Sequence, residues 1–171
     1  MKLESRGANS LPLPAACQLR KKMTRKPEIE ASLKAQIDKL LDLSGQKFQA
    51  GDLAGSVELG LQAWALIPEP KEKWDYYPQS LSAGFVQDYV DLGDKDNASK
   101  WIEVMAKMYD DPNHEDHLVL MTEGEAMYKL GDRERAYYVF GRIFEIYGQK
   151  GFAGDQKQYL DFYLKRKESR E

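Results

Sequence analysis

Cysteine occurs once, as Cys17, and histidine twice, as His114 and His117. A disulfide framework needs paired thiols and a cysteine zinc site needs several, so this chain can build neither, and a reducing cytoplasm suits it. No apolar run approaches the ~20 residues of a membrane-spanning helix. The short stretch Leu11 to Ala16 is broken by Pro12 and Pro14 and is followed, not preceded, by its strongest basic run, which is the wrong order for a secretory signal. Strand-like alternation of apolar and polar residues is missing too. So are a Gly-x-Ser-x-Gly nucleophile turn and a glycine-rich phosphate loop. The sequence therefore reads as a non-enzymatic protein without metal or cofactor.

What the chain does contain is charge, unevenly placed. Its net charge of −3 conceals seven Lys/Arg against one acid in residues 1–26 and eighteen against twenty-seven in 27–171, which leaves the second part at −9. Residues 1–26 lack any sustained apolar period and end in Arg20-Lys21-Lys22 with Arg25 and Lys26, the composition of a disordered basic tail. The 145 residues from 27 onward suffice for one hydrophobic core and read as a single domain. An acidic body favours a basic protein partner over nucleic acid, and nothing in it suits a membrane.

From Glu28 onward, apolar residues recur at helical spacing, as in Leu33, Ile37, Leu40, Leu41 and Phe48. The pattern predicts helices near 28–49, 53–67, 75–91, 95–109, 112–129, 132–148 and 155–168. Gly51-Asp52, Gly93-Asp94 and Gly131-Asp132 punctuate them at intervals of 42 and 38 residues. Glycine can end a helix in the left-handed conformation, and the following Asp can cap the next one. Five residues past each glycine stands a small side chain, Ser56, Ala98 or Ala136, which lets two helices approach closely. Pro68 and Pro112 follow the second helices of the first two units. This is the period of a helical-hairpin solenoid. The segment bearing Tyr159, Leu160, Phe162, Tyr163 and Leu164 reads as the apolar helix that closes its end, with Lys165-Arg166-Lys167 favourably placed at a helix C-terminus.

Gly124 to Asp132, with Ala136 and Phe140, resembles a tetratricopeptide repeat in the spacing of its Gly, aromatic, Gly-Asp, Ala and Phe. Leu40, Phe48, Gly51, Ala63 and Pro68 match more loosely, as do Tyr89, Gly93 and Ala98, so three units cover about 29–148. The resemblance implies an all-α solenoid of about three hairpins plus a capping helix. It also implies that the first helix of each hairpin lines a concave face, which nominates Asp38, Phe48, Gln87, Asp91, Glu125 and Tyr128 as partner-binding residues. The Lys, Arg and Asn set with which tetratricopeptide co-chaperones hold a terminal carboxylate is not evident there.

Two further clusters stand out. His114 and His117 are spaced as ligands on one helical turn, but the acids around them suit the first turn of a helix after Pro112, so capping is the expected role. Trp74, Tyr76 and Tyr77, between Pro70 and Pro78, are expected either to pack between hairpins or to anchor a partner at the mouth of the groove. With Trp64 to Pro68, Pro70-Lys71, Trp74-Asp75 and the closing Asp155, Tyr159-Leu160 and Phe162-Tyr163, they resemble small bacterial tetratricopeptide-like immunity proteins that accompany Rhs and other polymorphic toxins. That resemblance implies a cytoplasmic inhibitor of a cognate toxin encoded nearby. A general scaffold or secretion-chaperone adaptor is the alternative, and oligomeric state stays open.

Overall fold

The computed structural model describes residues 26–170. These residues are all-helical, with seven α-helices: α1 Ala31–Gln49, α2 Leu53–Leu66, α3 Tyr77–Asp91, α4 Lys95–Met108, α5 His117–Lys129, α6 Arg133–Tyr147 and α7 Lys157–Glu168. Among the described residues no helix is long and apolar enough to cross a membrane. The basic tail lies outside the described residues except for Lys26, as does Cys17.

The three Gly-Asp elbows share one local solution. Gly51, Gly93 and Gly131 take φ of 80°, 71° and 82°. Their N–H groups bond the carbonyls of Phe48, Val90 and Tyr128, while the N–H groups of Asp52, Asp94 and Asp132 reach back to Lys47, Tyr89 and Met127. This double closure satisfies carbonyls left over at a helix end. Each Asp then turns its carboxylate forward and accepts the N–H of Gly55, Asn97 or Arg135 at 2.9, 3.0 and 3.1 Å. One residue thereby finishes the old helix with its backbone and starts the next with its side chain. The three helix pairs so joined, α1 with α2, α3 with α4 and α5 with α6, are the principal helix contacts. Ser56, Ala98 and Ala136 are buried within them.

Consecutive hairpins meet through α2 with α3, α4 with α5 and α3 with α5. The Tyr77 hydroxyl on α3 donates to Asp38 on α1, and Lys129 on α5 donates to Gln87 on α3 at 3.3 Å, so the first helices are neighbours. Trp64 on α2 meets Trp101 on α4 edge to face at 5.1 Å, and Arg135 on α6 reaches Ser99 on α4, so the second helices are neighbours as well. One core cluster gathers Ile37, Ala63, Ile67 and Tyr77 around the first hairpin; a larger one joins Val86, Ile102, Met105, Met127, Phe140 and Ile143 to Tyr159 and Tyr163 of α7. Helix α7 packs on α6, and its last turn carries Lys165, Arg166 and Lys167.

Helix α5 departs from expectation: it starts at His117, five residues later than the spacing predicts. Asp110 and His114 adopt φ of 56° and 50°, and the Asp111 carboxylate takes the N–H groups of Glu115 and Asp116 at 2.9–3.0 Å. This acid holds the backbone in a turn that competes with helix. Asp116 is the cap, accepting from Leu118 and Val119. Helix α3 likewise starts at Tyr77 instead of 75, because Tyr76 stands at φ 67° and ψ −70°, outside the helical region.

Candidate functional site

The face shared by α1, α3 and α5 collects most of the nominated residues. Asp38 is half-buried and bound to the Tyr77 hydroxyl, which burial and then this carboxylate push far above the usual tyrosine range. Gln87 and Asp91 are exposed on α3 and bonded to each other at 2.7 Å. Glu125 is half-buried on α5; burial raises its carboxyl pKa, with Lys129 and a hydrogen bond from Gln156 opposing. Phe48 lies exposed in the last turn of α1. Tyr128 is turned toward α7, packing on Tyr159 and Phe162 at 5.3 and 5.0 Å beneath the Arg133 guanidinium at 3.5 Å.

Asp88 also belongs to this face, and no motif marks it. Its carboxylate has no hydrogen bond or ion pair among the described residues, and its pKa is raised by burial first and by Asp91 second. The only hint in the sequence is register. Asp88 stands five residues before Gly93, as the buried Ala126 stands five before Gly131. An acid thus occupies a slot that holds a small core residue in the third hairpin and an exposed glutamine, Gln46, in the first.

Raised pKa values mean that the ionised carboxylates are disfavoured in the folded state relative to the unfolded chain. They subtract stability above their folded pKa, and the penalty disappears as pH falls below the ordinary carboxylate range. Asp88→Asn and Glu125→Gln are therefore expected to raise the melting temperature at pH 7 by about 1–4 °C each. Scanning calorimetry at pH 7 and again near pH 3 checks the sign: a gain that persists at the lower pH would point to packing instead of charge.

At the junction of α1 and α3 the aromatic cluster divides its roles. Tyr77 is buried. Trp74 is half-buried, with its indole N–H donated to the Pro68 carbonyl at 2.9 Å. Tyr76 is 65% exposed and sits at φ 67°, ψ −70°, with the Tyr77 N–H bonded to the Asp75 carbonyl at 2.9 Å. That is the rare, strained form of the γ-turn. Two clefts adjoin it, of about 260 Å³ (Glu28, Ile29, Lys34, Asp75, Tyr76, Tyr77) and about 290 Å³ (Lys26, Asp75, Tyr76, Gln79, Ser80, Met108, Tyr109).

The two histidines diverge, and their spacing on one helical turn is not realised. His114, before α5, places Nδ1 3.0 Å from Glu123 and Nε2 3.4 Å from Glu103. Glu123 is buried and also takes both Nε and Nη2 of Arg135 at 2.7 Å. His117 places Nε2 2.6 Å from the Gly151 carbonyl, so this nitrogen carries the proton. Among the described residues no three His, Cys, Asp or Glu side chains are arranged to hold a metal ion. Both histidines instead tie the start of α5 to neighbouring elements. The sequence matches no protein-family profile, and neither the curated proteins nor the solved structures yield a significant match.

Proposed function

We propose that this chain is a tetratricopeptide-like solenoid that binds one basic protein along the face of α1, α3 and α5, and that this protein is a toxin domain which the chain neutralises. The observation that carries the binding reading is the placement of two half-buried acids, Asp88 on α3 and Glu125 on α5, where burial pushes both carboxyl pKa values up and Asp88 has no hydrogen bond or ion pair among the described residues. Desolvated charge is retained at a cost unless a counter-charge meets it. A partner's Lys or Arg entering this face would be paired at once, with electrostatic attraction also speeding capture. The toxin as partner rests on the motif resemblance of Trp64 to Pro68, Trp74-Asp75 and the closing Tyr159 to Tyr163 segment.

The test is co-expression with the product of the neighbouring gene, followed by titration calorimetry of the purified pair. A one-to-one complex that restores growth is expected, with Kd rising about 10–100-fold in the double charge reversal Asp91→Lys/Glu125→Lys. A non-toxic neighbour, or toxicity indifferent to this chain, would remove the immunity role. Retention of many unrelated proteins with similar affinity would identify a general scaffold or secretion chaperone.

A further inference from the structure

We infer that two copies of this chain pair through the outer flank of the first hairpin, α1 of each lying on α2 of the other about a two-fold axis along the seam between the helices. At the far end of the row of hairpins, α7 packs on α6. The first hairpin meets α3 on one side: Asp38 of α1 turns to Tyr77, and Gly60 and Trp64 of α2 turn to the Phe85 ring. Helical spacing therefore puts Leu40, Leu43 and Lys47, with Leu59, Gln62 and Leu66, on the side away from α3. Leu43 is 39% exposed, Leu40, Leu59 and Leu66 are half-buried, and an open cleft of about 350 Å³ lies between Leu43 and Leu59. A terminal repeat needs a polar outer face to stay alone in water. Here that face is leucine.

The charges around this flank name its occupant. Lys39 on α1 and Glu58 on α2 stand exposed at its rim, and neither has a hydrogen bond or ion pair among the described residues. Lys47 on α1 is bound to Asp52, the cap of α2, at 2.9 Å. The α1 side thus carries ammoniums and the α2 side carboxylates. A two-fold axis along the seam sets α1 on α2 of the second copy, so opposite charges meet, and meet twice. A two-fold axis across the helices would instead lay α1 on α1, ammonium against ammonium. Register agrees with the first arrangement. The Ser44 hydroxyl donates to the Ser56 carbonyl at 2.8 Å, which sets Leu43 level with Val57 and Lys39 level with Leu61. Along the axis, Leu43 then lies about 3 Å from Leu59 of the second copy and Lys39 about 4.5 Å from Glu58 of the second copy. Two hairpins so joined form a four-helix packing. Helices about 21 Å long and about 10 Å apart bury roughly 800–1,000 Å² in all, at the small end for specific contacts, so pairing is weak, with Kd of about 10–500 µM. Asp38, turned to α3, stays outside the contact, which makes the pairing separate from the toxin-binding reading.

Sedimentation equilibrium of the full chain at low salt, from about 5 µM to about 1 mM, is expected to show a mass rising from one chain toward two. Lys39→Glu and Glu58→Lys should each weaken pairing about fivefold or more, since the axis repeats every contact. The double variant Lys39→Glu/Glu58→Lys should return to within about twofold of the parent. Leu43→Glu should weaken pairing about tenfold or more. All three positions are exposed, so melting temperatures at about 5 µM should match the parent. A mass of one chain at every concentration overturns the pairing. So does a dimer that ignores the two charge reversals, or one that the double variant does not restore. If the chain stays single and Leu43→Glu abolishes neutralisation, the flank belongs to the toxin partner and the pairing fails.

Discussion

Phe140→Ala is expected to remove about 3–5 kcal/mol of stability, the cost of deleting a buried aromatic ring and leaving its cavity. Total stability of a domain this size is of the order of 5–15 kcal/mol, so the melting temperature should fall by about 6–20 °C. Phe140 is fully buried, stacks on Tyr159 of α7 at 4.9 Å and meets Phe152 and Phe162 edge to face at 6.2 Å. It therefore joins the third hairpin to the closing helix. Its opposite wall is Gly124, where an added methyl would stand 2.4 Å from the ring. Gly124→Ala alone gains about 1 kcal/mol of helix propensity, but overpacking costs roughly 1–3 kcal/mol because a ring enclosed by four aromatics, Tyr128 at 6.4 Å included, cannot step aside. With Ala at 140 the clash is gone, and Gly124→Ala should become stabilising. Urea unfolding of the two single variants and the double variant measures this; simple additivity would mean that the glycine is not there to admit the ring.

Arg135→Met is expected to cost about 2–3 kcal/mol, somewhat below the figure for breaking a fully buried pair because the Arg135 side chain is one-third exposed. Glu123 keeps only 8% of its side-chain exposure and, without the guanidinium, retains His114 as its sole side-chain partner among the described residues. The penalty belongs to the stranded carboxylate more than to the lost attraction. Glu123→Gln placed on Arg135→Met should accordingly recover more than half of the loss. Urea denaturation suits the measurement, since it adds no salt. A single variant costing under 1 kcal/mol, with no recovery in the double, would show that the network is well enough solvated to be dispensable. The same network holds α4, α5, α6 and the segment before α5 together through Ser99, Glu103, Glu123, Arg135 and His114.

The helices and their elbows were legible in the sequence because the interactions that make them are local. A Gly at positive φ, a backbone bond six residues wide and a carboxylate three residues from its N–H all lie within one short stretch around Gly51, Gly93 and Gly131. The small residues five positions later follow from the same register. The start of α5 was not legible. The acids of 110–116 show that N–H groups will be capped there but not which ones: Asp111 takes those of Glu115 and Asp116, while His114 is held by Glu123 nine residues on and His117 by the Gly151 carbonyl thirty-four residues on.

For the candidate site the division is similar. The acidity of the body and the aromatic cluster could be read residue by residue, and the period placed Asp38, Gln87, Asp91 and Glu125 on first helices. Which aromatic ring stays in water could not be read that way. Tyr77 is taken inward by Asp38, thirty-nine residues away, and Trp74 is tethered by the Pro68 carbonyl, which leaves Tyr76 outside. Asp88 gained its meaning only when neighbouring helices removed its water. Local capping and periodicity are written in the chain because they act over a few residues; exposure and desolvation are properties of what packs alongside, and only the tertiary structure decides them.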